Sequence, residues 1–319
     1  VAYFLEAFDL NGGAERSVFH IIKYIDRKKF KPIIISLCRG GEFEKEFINH
    51  NIEYHVINTK GLFHINGYLI LYKLLKKLRI DIIDTNTFNA HIQCRLLVKL
   101  FFQNKIVSTY RNQSRILLGN GIKDYFKKII DKFTSRFFSD ALIFVSEGTK
   151  NFYENHGYRN EKMYVILNSI EIQQIGNINF SDKILTSEFS ISESQKIIIA
   201  IGRLTKQKGY EYLFPAMNKI CKNDKNVTII IFGEDQSHGY YTSLLEDYSH
   251  IRYVLIDSYP DIYKILCQAD LFISSSLWEG LPRAHLEALL CGCPVISTDI
   301  GGSNEVITND FNGTLVEPK

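Results

Sequence analysis

The sequence predicts an α/β protein made of two Rossmann-like, doubly wound domains that face a cleft. Short runs rich in Ile and Val alternate with helical stretches along the chain, as parallel sheets with crossover helices require. This alternation restarts after a polar, aperiodic stretch, which predicts an interdomain connection. The length of 319 residues and the hydrophobic content of 45% are sufficient for two cores.

Strand-like runs divide the chain into a first domain at residues 1–170, a connection at 171–194 and a second domain at 195–319. In the first domain they are Val1–Phe8, Pro32–Leu37, Glu53–Ile57, Asp81–Thr85, Lys105–Thr109, Ala141–Ser146 and Met163–Leu167. In the second they are Lys196–Ile201, Asn226–Phe232, Ile251–Leu255, Asp270–Ser274, Pro294–Thr298 and Gly313–Val316. Ligands of such folds bind outside the carboxyl ends of strands, so the loops after these runs are the candidate site.

Two carboxylates stand eight positions apart where the strand Asp270–Ser274 passes into a helix. Glu279 is expected in the turn and Glu287 on the helix, which opens at Pro282. A helix start presents unpaired N–H groups and the positive end of the helix dipole, which suits a diphosphate, and Glu287 can accept hydrogen bonds from sugar hydroxyls. Alternatively, Glu279 only caps the helix and Glu287 is an exposed helical residue.

Two cations, Arg203 and Lys208, lie in the loop after the strand Lys196–Ile201. A guanidinium binds phosphate oxygens through two parallel hydrogen bonds and an ammonium is a compact point charge, so the pair suits a pyrophosphate leaving group. Near the amino end, within Leu10–Arg16, Gly12 and Gly13 would let the backbone approach a ligand closely. Alternatively, the cations are solvated loop charges and the glycines only make a tight turn.

In this order and spacing, the motifs resemble the family-4 (group 1) retaining glycosyltransferases of the GT-B fold over nearly the whole chain. The residues that carry the resemblance are Gly12-Gly13-Ala14-Glu15, Gly202-Arg203 with Lys208-Gly209, Glu279-Gly280 with Glu287-Ala288, Cys291-Gly292-Cys293-Pro294-Val295-Ile296, and Gly301-Gly302. The resemblance implies transfer of a hexose or N-acetylhexosamine from a nucleotide-diphosphate sugar, UDP-sugars being favoured, to a glycan or lipid-linked acceptor in cell-surface polysaccharide synthesis.

The resemblance also implies roles for particular residues. Arg203, Lys208 and Glu279 are the catalytic candidates, the two cations on the diphosphate and Glu279 at the donor sugar. The donor-binding candidates are Gly13, Arg111, Gly280, Leu281, Pro282 and Glu287, with Glu287 on the ribose. The acceptor would attack from the face that the diphosphate leaves, and the diphosphate would accept its proton.

One position departs from the family. Many members carry a histidine after the fifth strand, where this chain has Arg111 followed by Asn112. Arg111 can bind a phosphate or a sugar hydroxyl, or pair with a surface carboxylate. His91, His238 and His285 have no partners at metal-ligand spacing and are expected to be structural or exposed.

No cofactor is expected. The sequence has no Asp-x-Asp triplet and no cluster of ligands for Mg²⁺ or Mn²⁺, and cations with a helix start can neutralise a diphosphate instead. The predicted activity is therefore metal-independent. Two other classes fit the same architecture: a nucleotide-sugar epimerase, which would need its own acid–base carboxylates and histidines, and a non-catalytic partner subunit.

Charge is distributed unevenly. Residues 1–170 hold 26 Lys and Arg against 16 Asp and Glu, a net charge of +10, and the remainder carries −7. The basic half is expected to meet an anionic substrate or surface. Nucleic acid is not the expected partner, because the basic residues are scattered over several helices and no nucleic-acid-binding signature occurs.

Other features bear on location. The six cysteines include no Cys-x-x-Cys pair and are expected to be reduced thiols of a cytoplasmic protein. No apolar run approaches the roughly 18 residues that cross a bilayer. The family that these motifs resemble continues past the last predicted strand with helices that cross back over the first domain, and this chain begins inside a predicted strand. The chain is therefore expected to be truncated at both ends.

The stretch Gly121–Phe138 has the period of an amphipathic helix. Its apolar positions are Phe126, Ile129, Ile130, Phe133 and Phe137, and its cations are Lys123, Lys127, Lys128, Lys132 and Arg136. It is either an ordinary helix with its apolar face on the core, or a helix whose basic face is attracted to anionic lipid. The second interpretation would place the protein peripherally on the inner face of the membrane.

Overall fold

Two parallel sheets organise the computed structural model, which describes residues 1–9, 12–59, 61, 64–119, 121–176, 178, 183–259 and 261–318. Contacts divide the chain into two units, Val1–Asn168 and Ser169–Lys319, each built around one sheet. The predicted α/β class with two doubly wound sheets is confirmed.

In the first unit the strands are β1 Ala2–Leu5, β2 Ile33–Ser36, β3 Glu53–Val56, β4 Ile82–Thr85, β5 Lys105–Tyr110, β6 Ala141–Phe144 and β7 Met163–Val165. They form a parallel sheet in the order β3-β2-β1-β4-β5-β6-β7. The helices are α1 Gly13–Tyr24, α2 Glu44–Asn49, α3 Ile65–Leu78, α4 Phe88–Phe101, α5 Arg115–Leu118, α6 Ile122–Phe138 and α7 Glu147–Asn155.

In the second unit the strands are β8 Lys196–Ile201, β9 Val227–Phe232, β10 Tyr253–Ile256, β11 Leu271–Ser274, β12 Val295–Thr298 and β13 Gly313–Val316. They form a parallel sheet in the order β10-β9-β8-β11-β12-β13. The helices are α8 Gln173–Gly176, α9 Ile184–Phe189, α10 Tyr210–Asn223, α11 Tyr240–Glu246, α12 Ile262–Leu266 and α13 Arg283–Leu290, with 3₁₀ turns at Lys206–Lys208 and Ser303–Glu305.

Most strand residues are apolar because helices cover both faces of each sheet. In β8, Ile197 and Ile199 enter one core cluster, whereas Ile198 and Ala200 enter the cluster on the opposite face. All six residues of β9 are buried. Continuous burial of this kind explains why the strand-like runs could be recognised in the sequence, and every predicted strand is confirmed.

The predicted connection, residues 171–194, lies within the second unit. Ile184 and Leu185 of α9 are buried in the same core cluster as Ile199 and Phe272. Residues 177 and 179–182 of the connection lie outside the described residues.

A buried arginine organises the polar interior of the first unit. Arg95 of α4 is fully buried, and its Nη1 binds Asp131 Oδ1 of α6 at 2.5 Å. Its Nη2 donates to Tyr110 Oη at 2.9 Å, and Tyr158 Oη donates to Asp131 Oδ2 at 2.7 Å. A buried charge without a partner would cost free energy, so the Arg95 guanidinium needs these polar partners. Because Asp131 belongs to α6, the ion pair fixes the polar side of α6 against α4.

Helix α6 therefore turns its polar side inward. Asp131, Thr134 and Ser135 are its buried residues, while the apolar side chains Phe126, Ile129, Phe133 and Phe137 are exposed. The expectation of an ordinary helix with an apolar face on the core is wrong, because the buried guanidinium requires polar partners. Among the described residues, no helix has both the length and the hydropathy to cross a membrane.

Asp131→Asn tests this arrangement. Breaking a buried ion pair by removing one charge should lower the free energy of unfolding by about 3–5 kcal/mol, measured by urea unfolding followed by circular dichroism. The matched control is Lys105→Met, which breaks an ion pair with Asp140 whose side chains are 71% and 39% exposed. The control should lose less than about 1 kcal/mol, and equal losses in the two variants would contradict the assignment.

Candidate functional site

The candidate residues of the second unit lie where the strand order reverses. Strand β8 pairs with β9 on one side and with β11 on the other, so the loops after β8 and β11 leave the sheet side by side in different directions. Ligands of open parallel sheets bind at such switch points. The loop after β8 carries Arg203 and Lys208, and the loop after β11 carries Glu279.

The two loops are held together by backbone contacts. Leu277 N donates to Gln207 O at 2.7 Å, and Ser275 Oγ donates to Lys208 O at 2.8 Å. Gly209 has a φ of +62°, and a Cβ atom there would stand 2.1 Å from Ser275 O. Glycine is required at this position by both backbone conformation and space.

A lysine and a glutamate meet across these loops. Lys208 Nζ lies 2.7 Å from Glu279 Oε1, and their side chains are 22% and 10% exposed. Ser276 Oγ donates to the same carboxylate oxygen at 2.9 Å. The Glu279 carboxylate is therefore fixed in position by Lys208 and Ser276. The Lys208 ammonium has three N–H donors, so it can bind a further anion as well.

Arg203 has a different environment on the same loop. It is exposed, and its Nη1 donates to Gln236 Oε1 at 3.2 Å. Gly202 before it has a φ of +150°, a conformation that glycine adopts readily and other residues rarely do. The structure thus brings Lys208 to Glu279 and places the Arg203 guanidinium toward the loop after β9.

The second glutamate is buried on α13, which follows Pro282. Glu287 is 5% exposed, and its Oε1 lies 3.6 Å from Arg283 Nη2. Gly280, Leu281 and Pro282 are also buried. The alternative of an exposed helical glutamate is wrong at this position, because the Glu287 side chain is buried.

The paired glycines after β12 close the site from another side. Gly302 N donates to Gly280 O at 2.7 Å. Gly301 has a φ of +55°, and a Cβ atom there would approach Glu279 O to 2.5 Å. The loops after β11 and β12 consequently touch through their backbones, which fixes the turn that carries Glu279.

His285 was expected to be structural or exposed, and it is buried at this site. Its Nε2 lies 3.3 Å from Ser297 Oγ. Burial, together with the Lys208 charge, lowers the pKa of its imidazole to about 3. The His285 ring is therefore neutral at physiological pH. Of the other histidines, His91 is buried and His238 is exposed.

In the first unit, Arg111 follows β5 at the carboxyl edge of the sheet. Its Nε donates to Asn86 Oδ1 at 2.6 Å, and its Nη1 lies 3.4 Å from Asn168 Oδ1. Ser17 Oγ of α1 donates to Gly13 O at 2.8 Å and lies 3.5 Å from Asn168 Oδ1. Arg111 and Gly13, both donor-binding candidates, are thus linked by a polar chain.

The glycine pair starts α1. Gly13 is exposed and a Cβ atom there would meet nothing within 4 Å, so packing does not require glycine at this position. Close approach of a ligand to the backbone is an alternative reason for a glycine at position 13. Leu10 and Asn11 of the same motif lie outside the described residues.

Asp84, Asn86 and Asn168 are polar residues of this edge that were not predicted from the sequence. Asp84 is buried at the end of β4, and Thr109 Oγ1 donates to its Oδ1 at 2.7 Å. Burial raises the pKa of the Asp84 carboxyl to about 6, with the Arg111 charge in partial opposition. These three residues could have been found in the sequence by their position, since each lies at or just beyond the carboxyl end of a predicted strand.

Within the parts of the chain that the structure describes, no three His, Cys, Asp or Glu side chains group in a way that could hold a metal ion. All six cysteines are free thiols. Burial raises the pKa of Cys293 to about 12, which keeps this thiol protonated.

Two family profiles match the chain. The one described as Glycosyltransferase Family 4 covers residues 11–174, and the one described as Glycosyl transferases group 1 covers residues 182–319. Together they match parts of both structural units.

Curated relatives are similar over much of the chain. The UDP-Gal:alpha-D-GlcNAc-diphosphoundecaprenol alpha-1,3-galactosyltransferase of Escherichia coli is 29% identical, over 98% of this chain and 77% of the relative. Two uncharacterized glycosyltransferases of Methanocaldococcus jannaschii are 28% and 31% identical, over 77% and 50% of this chain. The matches span only 62% and 42% of those two relatives' own lengths.

Solved structures share the architecture. Anabaena HepE in complex with UDP-glucose superposes with a TM-score of 0.84 at 21% identity, over 99% of this chain and 85% of that one. A glycosyltransferase from Rickettsia africae superposes with a TM-score of 0.76 at 23% identity, over 100% and 84%. At such identities the likeness concerns the fold, and it confirms the predicted GT-B architecture.

The Asp84 pKa predicts a pH dependence of stability. An unfolded aspartate loses its proton near pH 4 and folded Asp84 near pH 6, so the folded state binds more protons in this window. The free energy of unfolding should therefore fall as pH rises from about 4 to 6, and Asp84→Asn should lack that fall. Measured by urea unfolding, the variant should gain about 2–3 kcal/mol over the parent between pH 4 and 7. Parallel curves would contradict the assignment.

Proposed function

The chain belongs to glycosyltransferase family 4, and on that premise we propose that it is a retaining hexosyltransferase. It takes a hexose or N-acetylhexosamine from a nucleotide-diphosphate sugar, with UDP as the favoured nucleotide. The acceptor is a glycan or a lipid-linked sugar of cell-surface polysaccharide synthesis. The observation that carries this proposal is the ion pair of Lys208 and Glu279 at the switch point of the second sheet.

The proposed chemistry is rupture of the bond between the sugar and the diphosphate. Negative charge develops on the departing phosphate and positive charge on the sugar ring. Lys208 is held by Glu279, so its ammonium is in place before the reaction and can stabilise the leaving group without reorganising. Arg203 supplies a second cation from the same loop, and the N–H groups at the start of α13 supply a third source of positive potential.

The glutamates have proposed roles as hydrogen-bond acceptors. Glu279 orients hydroxyls of the donor sugar, and Glu287 binds the ribose hydroxyls. Gly280, Leu281 and Pro282 line the donor site through the turn that joins the two glutamates. In the first unit, Gly13 and Arg111 are proposed donor contacts, because Gly13 offers an open backbone and Arg111 a guanidinium.

The names of two relatives support the proposed acceptor class. The Escherichia coli relative is named for a UDP-galactose donor and a diphosphoundecaprenol-linked acceptor. A Campylobacter jejuni relative, 26% identical over 61% of this chain, is named for transfer to a diphospho-undecaprenol-linked sugar. We propose the same class of acceptor here, and a cytoplasmic location, since all six cysteines are free.

A donor screen tests the proposal directly. Thermal unfolding is measured with UDP-, ADP- and GDP-sugars, and a ligand at about 100 times its dissociation constant should stabilise the protein by roughly 2.7 kcal/mol. A UDP-sugar should give the largest shift, and the absence of a shift with every nucleotide sugar would contradict the proposal. Product analysis without acceptor then separates the classes. A changed sugar nucleotide indicates an epimerase, and binding without hydrolysis or transfer indicates a non-catalytic subunit.

Lys208→Met should lower turnover by about 10²–10³, because it removes a preorganised charge from the leaving group. The matched control is Lys206→Met in the same 3₁₀ turn, where Lys206 is exposed, and its turnover should stay within about threefold of the parent. Turnover is measured as release of the nucleoside diphosphate.

The double variant Lys208→Met with Glu279→Gln separates catalysis from stability. Removing both charges should restore the stability that is lost when Glu279 is left unpaired. Turnover should remain low, since the leaving group still lacks its cation. Recovery of turnover in the double variant would assign a purely structural role to the pair.

Transfer should continue in the presence of EDTA. The expected reason is that Lys208, Arg203 and the start of α13 neutralise the diphosphate, the task that a divalent cation performs in metal-dependent sites. Turnover measured in EDTA should equal turnover in buffer. A loss that Mn²⁺ restores would overturn this prediction.

A further inference from the structure

The first sheet has a switch point of its own, and polar side chains gather beside it. Strand β1 pairs with β2 on one side and with β4 on the other, so the loops after β1 and β4 leave the sheet in different directions. Asn86 follows β4, and Arg111 follows the neighbouring strand β5. Ligands of open parallel sheets bind at such points. A ligand of the first unit is therefore expected close to these two side chains.

The Arg111 guanidinium is oriented by neutral partners. Its Nε donates to Asn86 Oδ1 at 2.6 Å, and its Nη1 lies 3.4 Å from Asn168 Oδ1. Asn86 is itself buried, and its Nδ2 donates to Asp84 O at 3.3 Å. Amides carry no charge, so these contacts fix the direction of the guanidinium without cancelling its positive charge. Arg111 is half-buried, so solvent ions screen this charge less than they screen a surface arginine.

The buried Asp84 carboxyl limits the charge of the anion that can bind beside Arg111. Thr109 Oγ1 donates to Asp84 Oδ1 at 2.7 Å, and Arg111 acts on the Asp84 pKa through its charge. Where Asp84 is ionised, its negative charge repels a second anion near the guanidinium, and the repulsion grows with the charge of that anion. The site therefore suits a group with a single negative charge.

Two enclosed oxygens lie on the residues that follow Asn86 and Arg111 in the chain. Thr87 Oγ1 and Asn112 Oδ1 are buried, and neither has a hydrogen-bond partner within the described residues. A buried polar atom is costly unless it is hydrogen-bonded, so each of these oxygens is suited to a polar group of a ligand. The threonine hydroxyl can donate or accept and the amide oxygen accepts, and sugar hydroxyls can bind both.

We propose that the Arg111 site binds an acidic sugar, a pyranose that carries a carboxylate. A carboxylate is planar and singly charged, and a guanidinium binds it through two parallel hydrogen bonds. The hydroxyls of the same sugar bind Thr87 and Asn112. A diphosphate fits this site less well, because it carries more negative charge beside Asp84 and has no hydroxyls for the two enclosed oxygens.

This inference rests on the proposed function and narrows its substrate class. The acidic sugar is either the sugar of the nucleotide donor or the terminal sugar of the acceptor, and both present the same carboxylate and hydroxyls. Two arms of one binding experiment distinguish these sources.

The donor arm compares UDP-glucuronic and UDP-galacturonic acid with UDP-glucose and UDP-galactose. The acceptor arm compares disaccharides that end in the same four sugars. Each acidic sugar is compared with the neutral sugar of the same configuration, and dissociation constants are measured by isothermal titration calorimetry. In one arm the parent should bind an acidic ligand at least about tenfold more tightly than its neutral counterpart, because a charge-assisted bidentate contact is lost with the carboxylate. Equal affinity in both arms, or a preference for the neutral sugars, would overturn the proposal.

Arg111→Gln should abolish this preference, so that the two dissociation constants agree within about threefold. The ratio is measured within one variant, so any loss of stability from the broken contacts to Asn86 and Asn168 affects both ligands alike. Arg111→Lys keeps the charge without the planar fork and should retain part of the preference. If Arg111→Gln instead weakens acidic and neutral ligands by the same factor, Arg111 binds a group common to both, and the proposal is wrong.

Arg39→Gln is the matched control. Arg39 follows β2 at the same edge of the sheet, is exposed and forms an ion pair with Asp9 at 2.8 Å. This variant removes a positive charge from the same edge and should keep the ratio of the parent, whereas an equal loss in Arg39→Gln and Arg111→Gln would contradict the assignment to Arg111. A thermal shift with neutral UDP-sugars and no acidic preference in either arm overturns this inference alone. Absence of a shift with every nucleotide sugar contradicts the proposed function instead, and the acceptor arm then decides the inference.

Discussion

The ion pair between Lys208 and Glu279 joins the two loops on which the second unit's candidate site depends. Both side chains are largely removed from water, so each charge needs the other. The backbone contacts around Gln207 and Gly209 hold the loops close enough for the pair to form. The same contact that stabilises the turn therefore keeps an ammonium in a defined position at the switch point, where a leaving group can use it without reorganisation.

A comparable constraint acts in the first unit, where the buried Arg95 decides how α6 is oriented. Its guanidinium donates hydrogen bonds to Asp131 and Tyr110. The bond to Asp131 turns the polar side of α6 toward the interior. The exposure of the apolar side chains of α6 follows from that orientation. A single buried charge, that of Arg95, thus determines which side of α6 is exposed at the surface of the unit.

Much of the fold could be predicted from the sequence, because strands of a parallel sheet are buried on both faces and appear as apolar runs. The motifs around Lys208 and Glu279 could be found because each is local to one strand end. The orientation of α6 could not, since amphipathic spacing defines two faces without saying which one meets the core. The partners of Arg95 and Arg111 were also hidden, because they come from distant parts of the chain, Asp131 and Asn168 among them.

The central claim is that Lys208 binds the diphosphate of a nucleotide sugar, and a crystal structure with UDP bound tests it most directly. The claim predicts a phosphate oxygen within about 3 Å of Lys208 Nζ and density for the diphosphate beside the first turn of α13. The same crystal form of Lys208→Met should show weaker occupancy at equal nucleotide concentration. A diphosphate bound away from both Lys208 and the start of α13, or equal occupancy in the two proteins, would contradict the account.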